Sequence, residues 1–196
     1  GKPTKKDIVL ISGAAGSTGS IAGQIAKIKG CEVIGIAGGA EKCRWLTEEA
    51  KFDVAIDYKE ANMKQAIREV CPKGANVVFD NVGGDFLDIA LTRLSINARI
   101  VLCGAISRYN EKKLPPGPTN YMALIFMRAK MEGFIVSDFL KKFPDAIEEM
   151  KSWVNEGKII YAEDIQLGLE NAPKTLQRLY TGQNKGKQLL KLGDPN

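Results

Sequence analysis

Through its first hundred residues the chain alternates short apolar runs with amphipathic segments. Residues 7–12 form a run rich in β-branched residues and predict a first strand. Ile21, Ala22, Ile25 and Ile28 then recur at helical spacing, which predicts a helix with a buried stripe, ended by Gly30. Glu32–Ala37 predicts a second strand closed by Gly38-Gly39, followed by a helix over 40–50 with Cys43, Leu46 and Ala50 inward. Residues 54–56 give a short third strand, and Met63, Ala66, Ile67 and Val70 mark a helix stopped by Pro72. The run 76–80 is too continuously apolar to face water on either side, as in a central parallel strand. A helix over 86–94 and a fifth strand over 98–103, ending at Gly104, complete this rhythm. Such alternation predicts an α/β fold: a parallel sheet with helices on both faces.

Beyond Gly104 the pattern changes. Leu114-Pro115-Pro116-Gly117-Pro118 excludes regular structure, and a loop as long as 105–120 is usually functional. A helix over 121–131, a sixth strand over 133–136 and a strongly amphipathic helix, Phe143–Asn155 (Phe143, Ile147, Met150, Val154), are expected next. From Lys158 the sequence is of a different kind, with one helix, Ala172–Tyr180, and a closing strand over 187–192.

The most informative turn is Ser12-Gly13-Ala14-Ala15-Gly16-Ser17-Thr18-Gly19, between the first strand and its helix. Gly16 lets backbone approach a pyrophosphate, and Gly19 lets the helix lie close to the strand. The N–H groups of the first helical turn then face the phosphates. The turn departs from G-x-G-x-x-G at Ala14, and a turn like this also serves as a plain strand-to-helix connection. Its context favours a Rossmann unit: a doubly wound six-stranded parallel sheet with a C-terminal helix and strand tail. The second strand ends Ile36-Ala37-Gly38-Gly39 without the carboxylate that binds the ribose 2′-hydroxyl of NAD. Lys42 and Arg44 lie just beyond; they are either ordinary exposed helix residues or the positive charge for a 2′-phosphate, and with the acid missing the pattern favours NADP.

Composition narrows the class further. The net charge of +5 comes from lysines spread among acids, not from a basic face with interleaved aromatics, so no nucleic-acid partner is expected. Without a long apolar run or a leader pattern, no membrane is expected either, and the reading is cytoplasmic. Cys31, Cys43, Cys71 and Cys103 are far apart and the chain has no histidine, which argues against a metal and for reduced packing thiols.

The glycine turn, Gly23-Gln24-Ile25-Ala26-Lys27, Phe79-Asp80-Asn81-Val82-Gly83-Gly84, Cys103-Gly104-Ala105-Ile106-Ser107, Tyr109-Asn110, the 114–118 loop, Gly168-Leu169-Glu170-Asn171 and Gly186-Lys187 occur in order along nearly the whole chain. Together they resemble the zinc-independent medium-chain dehydrogenase/reductases, in the branch of NADPH-dependent alkenal double-bond reductases, prostaglandin reductases and curcumin reductase. The resemblance implies hydride transfer from NADPH to the β-carbon of an α,β-unsaturated aldehyde or ketone, then protonation of the α-carbon. It implies pyrophosphate contacts at Gly16, Ser17, Thr18 and Gly19, and 2′-phosphate contacts at Lys42 and Tyr58. Asn81, the segment from Cys103 through Gly104, Ala105, Ile106 and Ser107 to Tyr109, the strand Phe134-Ile135-Val136 and Asn184 would line the cofactor. Plant members of the branch carry a tyrosine, proposed as proton donor, where this chain has Phe126, which leaves Tyr109 as the candidate enol-stabilising hydroxyl, with solvent or a ribose hydroxyl as rivals.

Members of the branch begin with a substrate domain that this chain does not include. The resemblance therefore implies an NADP-binding domain over 1–157 and an extension over 158–196, inactive or weakly active alone, with the tail mobile or paired with another copy. It also allows a homodimer through the sixth strand. An NADPH quinone reductase and a non-catalytic nucleotide-binding module remain as alternatives.

Overall fold

In the computed structural model, which describes residues 1–113 and 115–193, the apolar runs form a sheet in the order β3-β2-β1-β4-β5-β6. Leu114, the first residue of the proline-rich loop, lies outside the described residues. The strands are β1 (Ile8–Ile11), β2 (Glu32–Ala37), β3 (Val54–Asp57), β4 (Ala75–Asp80), β5 (Leu94–Leu102) and β6 (Lys130–Gly133), and every pairing among them is parallel. The connecting helices are α1 (Ser17–Ile28), α2 (Ala40–Glu48), α3 (Met63–Val70), α4 (Gly84–Leu91) and α5 (Ala123–Phe126). They are followed by α6 (Phe143–Asn155) and by α7 (Ala172–Tyr180) between β7 (Glu163–Leu167) and β8 (Lys187–Lys191). This is the doubly wound order, with β1 and β4 flanking the point where the winding reverses.

Alternation along the strands splits the core in two. Leu10, Ile34, Val78 and Ile100 meet Ile67, Phe86 and Leu91 of α3 and α4, whereas Val9, Ile11, Val33 and Val77 meet Trp45, Leu46 and Phe52 on the other face. Each such side chain, fully buried, contributes about 1.5–3 kcal/mol.

Four expectations need correction. The face that α1 buries is Gly19, Ser20, Gly23, Gln24 and Ala26, while Ile21, Ala22, Ile25 and Ile28 are only half-buried. Small residues win because they bring helix and sheet closest: a Cβ on Gly23 would stand 1.9 Å from the Phe52 ring. The sixth strand is Lys130–Gly133, paired with Arg99–Leu102, and Phe134, Ile135 and Val136 follow it as the chain leaves the sheet. An edge strand has one neighbour and tolerates the charges of Lys130 and Glu132, so apolar content misplaced it. The helix expected over 121–131 shrinks to α5, because Arg128 turns to φ +51. The sequence pattern places no strand between 158 and 171, yet β7 is there. It pairs in parallel with β8 along Glu163–Leu167 and Lys187–Lys191, so the tail strand finds its partner within the chain.

Candidate functional site

At the carboxyl ends of β1, β2 and β4 lies a cleft of about 670 Å³. Its floor is the glycine turn. Gly13 (φ +56) accepts a hydrogen bond from Gly16 N–H at 3.0 Å, and α1 starts immediately after. A Cβ on Gly19 would sit 2.4 Å from the Gly13 carbonyl oxygen, so only glycine lets the helix start so close to the strand. Ala14 replaces the expected glycine at little cost, because it packs against Gly35 of β2, where a side chain would meet the Ala14 methyl at 2.9 Å. No side chain caps α1 and its first turn holds no acid. The first-turn N–H groups, which lack intrahelical partners, and the positive end of the dipole therefore remain for an anion.

The central wall depends on Asp80, the last residue of β4 and fully buried. Asp80 Oδ1 accepts from the Ser12 hydroxyl at 2.6 Å, Val82 N–H at 2.9 Å and Gly83 N–H at 3.0 Å. The Ser12 hydroxyl accepts in turn from Asn81 N–H at 2.8 Å, and Asn81 Nδ2 donates to the Ser12 carbonyl at 2.7 Å. Asp80 thus fixes Asn81 and the turn beyond it. Ser107 closes this wall by donating from its hydroxyl to the Val82 carbonyl at 2.6 Å.

The far end is cationic. Lys42, from the first turn of α2, reaches across the cleft to donate to the Gly182 carbonyl at 2.6 Å. Burial lowers its pKa, as does nearby Lys59, while Asp164 acts in the opposite sense. Tyr58 and, from the tail, Leu179, Tyr180, Gly182 and Asn184 line the same cleft. Beside the end of β2 stands Asp57 of β3, paired with Ala37. It accepts from Gly39 N–H at 2.9 Å and Lys59 N–H at 3.0 Å and does not line the cleft. Arg44, paired with Lys42 in the sequence reading, is exposed and also stands outside it.

A second cleft, of about 850 Å³, opens beyond β5 and β6, and Gly83 and Asp85 line both. Cys103, Gly104, Ala105, Tyr109, Phe134 and Ile135 line this one. The Tyr109 hydroxyl accepts from Ala105 N–H at 3.1 Å, and its ring is 61% exposed. Accepting that bond leaves its own proton available to a neighbouring oxygen. Burial, then Asp80, raises the Cys103 pKa, so the thiol stays protonated. The proline-rich loop is tied down at its ends: Arg108 Nη2 donates to the Pro115 carbonyl at 2.7 Å, and Asp88 accepts from Asn120 N–H at 2.8 Å.

The structure therefore brings together Gly16, Ser17, Thr18, Gly19, Lys42, Tyr58, Asn81, Ile106, Ser107 and Asn184 in the first cleft. The second gathers the rest except Val136, which lines neither, as does Phe126, 69% exposed on the outside. Sequence reasoning missed Asp80, whose signal was an acid ending a continuous apolar strand just before Asn-Val-Gly-Gly. It also missed Tyr180, the last residue of α7, and Gly182 just beyond it, which no local pattern signals. Among the described residues no three of His, Cys, Asp or Glu stand close enough to hold a metal ion. Nor is any helix among them long and apolar enough to cross a membrane.

Residues 17–152 match the family model of the zinc-binding dehydrogenases. The NADPH-dependent curcumin reductase of Escherichia coli is 41% identical over 197 residues, which cover 98% of this chain and 57% of that protein. Prostaglandin reductase 1 of Bos taurus is 43% identical over 188 residues, covering 94% and 56%. The crystal structure of CurA from Vibrio vulnificus in complex with NADPH superposes with a TM-score of 0.93 at 40% identity, covering all of this chain and 59% of that one. The chain thus spans little more than half the length of the relatives it matches. It belongs to the zinc-binding dehydrogenase family, in the branch that holds the curcumin, prostaglandin and alkenal reductases.

Proposed function

We propose that the chain is the NADP(H)-binding part of an oxidoreductase that reduces the C=C bond of α,β-unsaturated aldehydes and ketones. The observation that carries this reading is the convergence, in one cleft, of an uncapped helix N-terminus at one end and the Lys42 ammonium with Tyr58 at the other. Such a pair of anion-binding groups in one cleft suits a pyrophosphate and a 2′-phosphate, and the glycine floor leaves backbone room for them. When bound there, the reduced nicotinamide supplies a hydride to the substrate β-carbon. The chain does the rest. First-turn N–H groups of Ser17, Thr18 and Gly19 hold the pyrophosphate, and Lys42 and Tyr58 read the 2′-phosphate. Asn81, Asn184 and the 103–107 segment would fix the cofactor, with Phe134 and Ile135 of the adjoining cleft available to its nicotinamide, whereas Val136 lines neither cleft. The Tyr109 hydroxyl donates to the enolate oxygen as it forms, and solvent protonates the α-carbon.

We assign residues 1–157 to the NADP-binding domain and 158–196 to an extension that meets a further, substrate-binding domain. Homodimerisation across the β6 edge, beyond which Ile135 and Val136 stand 65% and 62% exposed, and a cytoplasmic setting belong to the same reading. NADPH oxidation by the full-length protein, with a simple enal set against a benzoquinone, is the test. Turnover of the enal supports the reading; turnover of the quinone alone transfers the protein to the quinone reductases.

A further inference from the structure

The position of Lys42 is imposed from the tail. Its ammonium donates to the carbonyl of Gly182, the residue that follows the C-cap of α7. Gly182 takes φ +62, the left-handed conformation that closes a helix C-terminus. Thr181 N–H bonds the Gln177 carbonyl at 3.1 Å and Gln183 N–H the Arg178 carbonyl at 3.0 Å, so the turn is pinned on both sides of Gly182. Its carbonyl lies at the negative end of the α7 dipole, which favours the ammonium there.

The turn is in turn fixed to the body of the fold. Lys185 pairs with Glu41 at 3.0 Å, Gly186 N–H donates to the Ala15 carbonyl at 2.8 Å, and Arg178 pairs with Asp164 of β7 at 2.6 Å. Upstream, the buried Gln24 side chain of α1 exchanges two hydrogen bonds with the Ile160 backbone, at 2.8 and 2.9 Å. The segment carrying Gly182 is thereby strapped across the glycine turn.

We infer that Gly182 is a specificity-determining position for the cofactor: its left-handed turn holds the Lys42 ammonium where a 2′-phosphate is recognised. This inference rests on the reading of the cleft as an NADP(H) site. A lysine ammonium has three donors. One is spent on Gly182, which fixes a long and flexible side chain in advance, and two remain for the phosphate. Preorganisation of this kind raises affinity by reducing the freedom lost on binding. The effect is confined to the 2′-phosphate, so it separates NADPH from NADH. A Cβ on Gly182 would meet only the Tyr58 hydroxyl, at 3.6 Å, an ordinary contact. A methyl there therefore acts on backbone conformation rather than on packing, and any larger side chain also approaches Tyr58.

The test is a double-mutant cycle on the chain, with dissociation constants for NADPH and NADH read by fluorescence titration. Gly182→Val, whose branched side chain disfavours φ > 0, is expected to weaken NADPH by about 5- to 20-fold and NADH by less than about twofold. Gly182→Asn, which tolerates the left-handed conformation, should stay near wild type. On a Lys42→Ala background Gly182→Val should change neither constant further. Equal losses for both nucleotides, an unchanged NADPH-to-NADH ratio, or additive effects of the two substitutions would overturn the inference. If Gly182→Val fails to fold by circular dichroism, Gly182→Ala reads the same ratio with the smaller strain. If wild type and Lys42→Ala both bind the two nucleotides equally, the reading of the cleft falls and the inference with it.

Discussion

Among the described residues, those up to Ile100 supply all the buried apolar side chains except Ile159, whereas those beyond it otherwise leave theirs half-buried or exposed. After that point Ile125, Ile135, Leu167, Leu169 and Leu192 are each more than 60% exposed, and α6 buries none of its residues. The first region is a continuous sheet core with the glycine turn on its edge. The second supplies walls: the loop over the second cleft and the tail over the first. A cleft assembled this way has a floor packed on the core and sides whose position depends on a few hydrogen bonds.

Core and surface deletions would break or sharpen this contrast most strongly. Leu10→Ala, at a fully buried β1 position, should destabilise the chain by about 2–5 kcal/mol in urea unfolding. Leu167→Ala, 65% exposed on β7, should stay within about 0.5 kcal/mol. Similar values for the two would erase the distinction. Next in size, Asp80→Asn puts an amide where a carboxylate accepts from Ser12, Val82 and Gly83. It should cost about 2 kcal/mol of stability and weaken nucleotide binding through the displaced Asn81. Stability lost with binding intact would detach the buried wall from the cleft.

The smallest effect expected is in acid, at the surface loop. The Thr119 hydroxyl, and after it Asn120 N–H, hold the Asp88 carboxyl below the usual carboxylate range against the opposing effect of burial. Because its folded pKa is depressed, Asp88 contributes stability above the unfolded value of about 3.9 and loses it as the pH falls through the folded value. Protection of the Gly117, Thr119 and Asn120 amides, taken relative to their intrinsic exchange rates, should therefore fall below about pH 4 while β1 and β4 stay protected. Unchanged protection in the loop would mean that Asp88 does not hold it.

The legibility of the sequence divides along the same line. The glycine turn and the alternating strands are readable because local spacing carries them: Gly13, Gly16 and Gly19 stand three residues apart, and β4 announces itself by continuous apolarity. The β6 register was not readable, because an edge strand is chosen by hydrogen bonding to β5 and not by apolar content. β7 alternates exposed and half-buried positions, a pattern too weak to stand out in a tail that buries little. The Lys42–Gly182 contact joins residues 140 apart, and no local pattern encodes such a meeting. Asp80 lay in plain view, but only its burial reveals that it organises the wall.

The most direct measurement is the affinity of the chain for NADPH and NADH, each with wild type and with Lys42→Ala. The account predicts that wild type prefers NADPH by about 10- to 100-fold, the range of a charge-assisted contact, and that the alanine removes the preference while leaving NADH nearly unchanged. Equal affinity for the two nucleotides in wild type, or a preference that survives in Lys42→Ala, would contradict it.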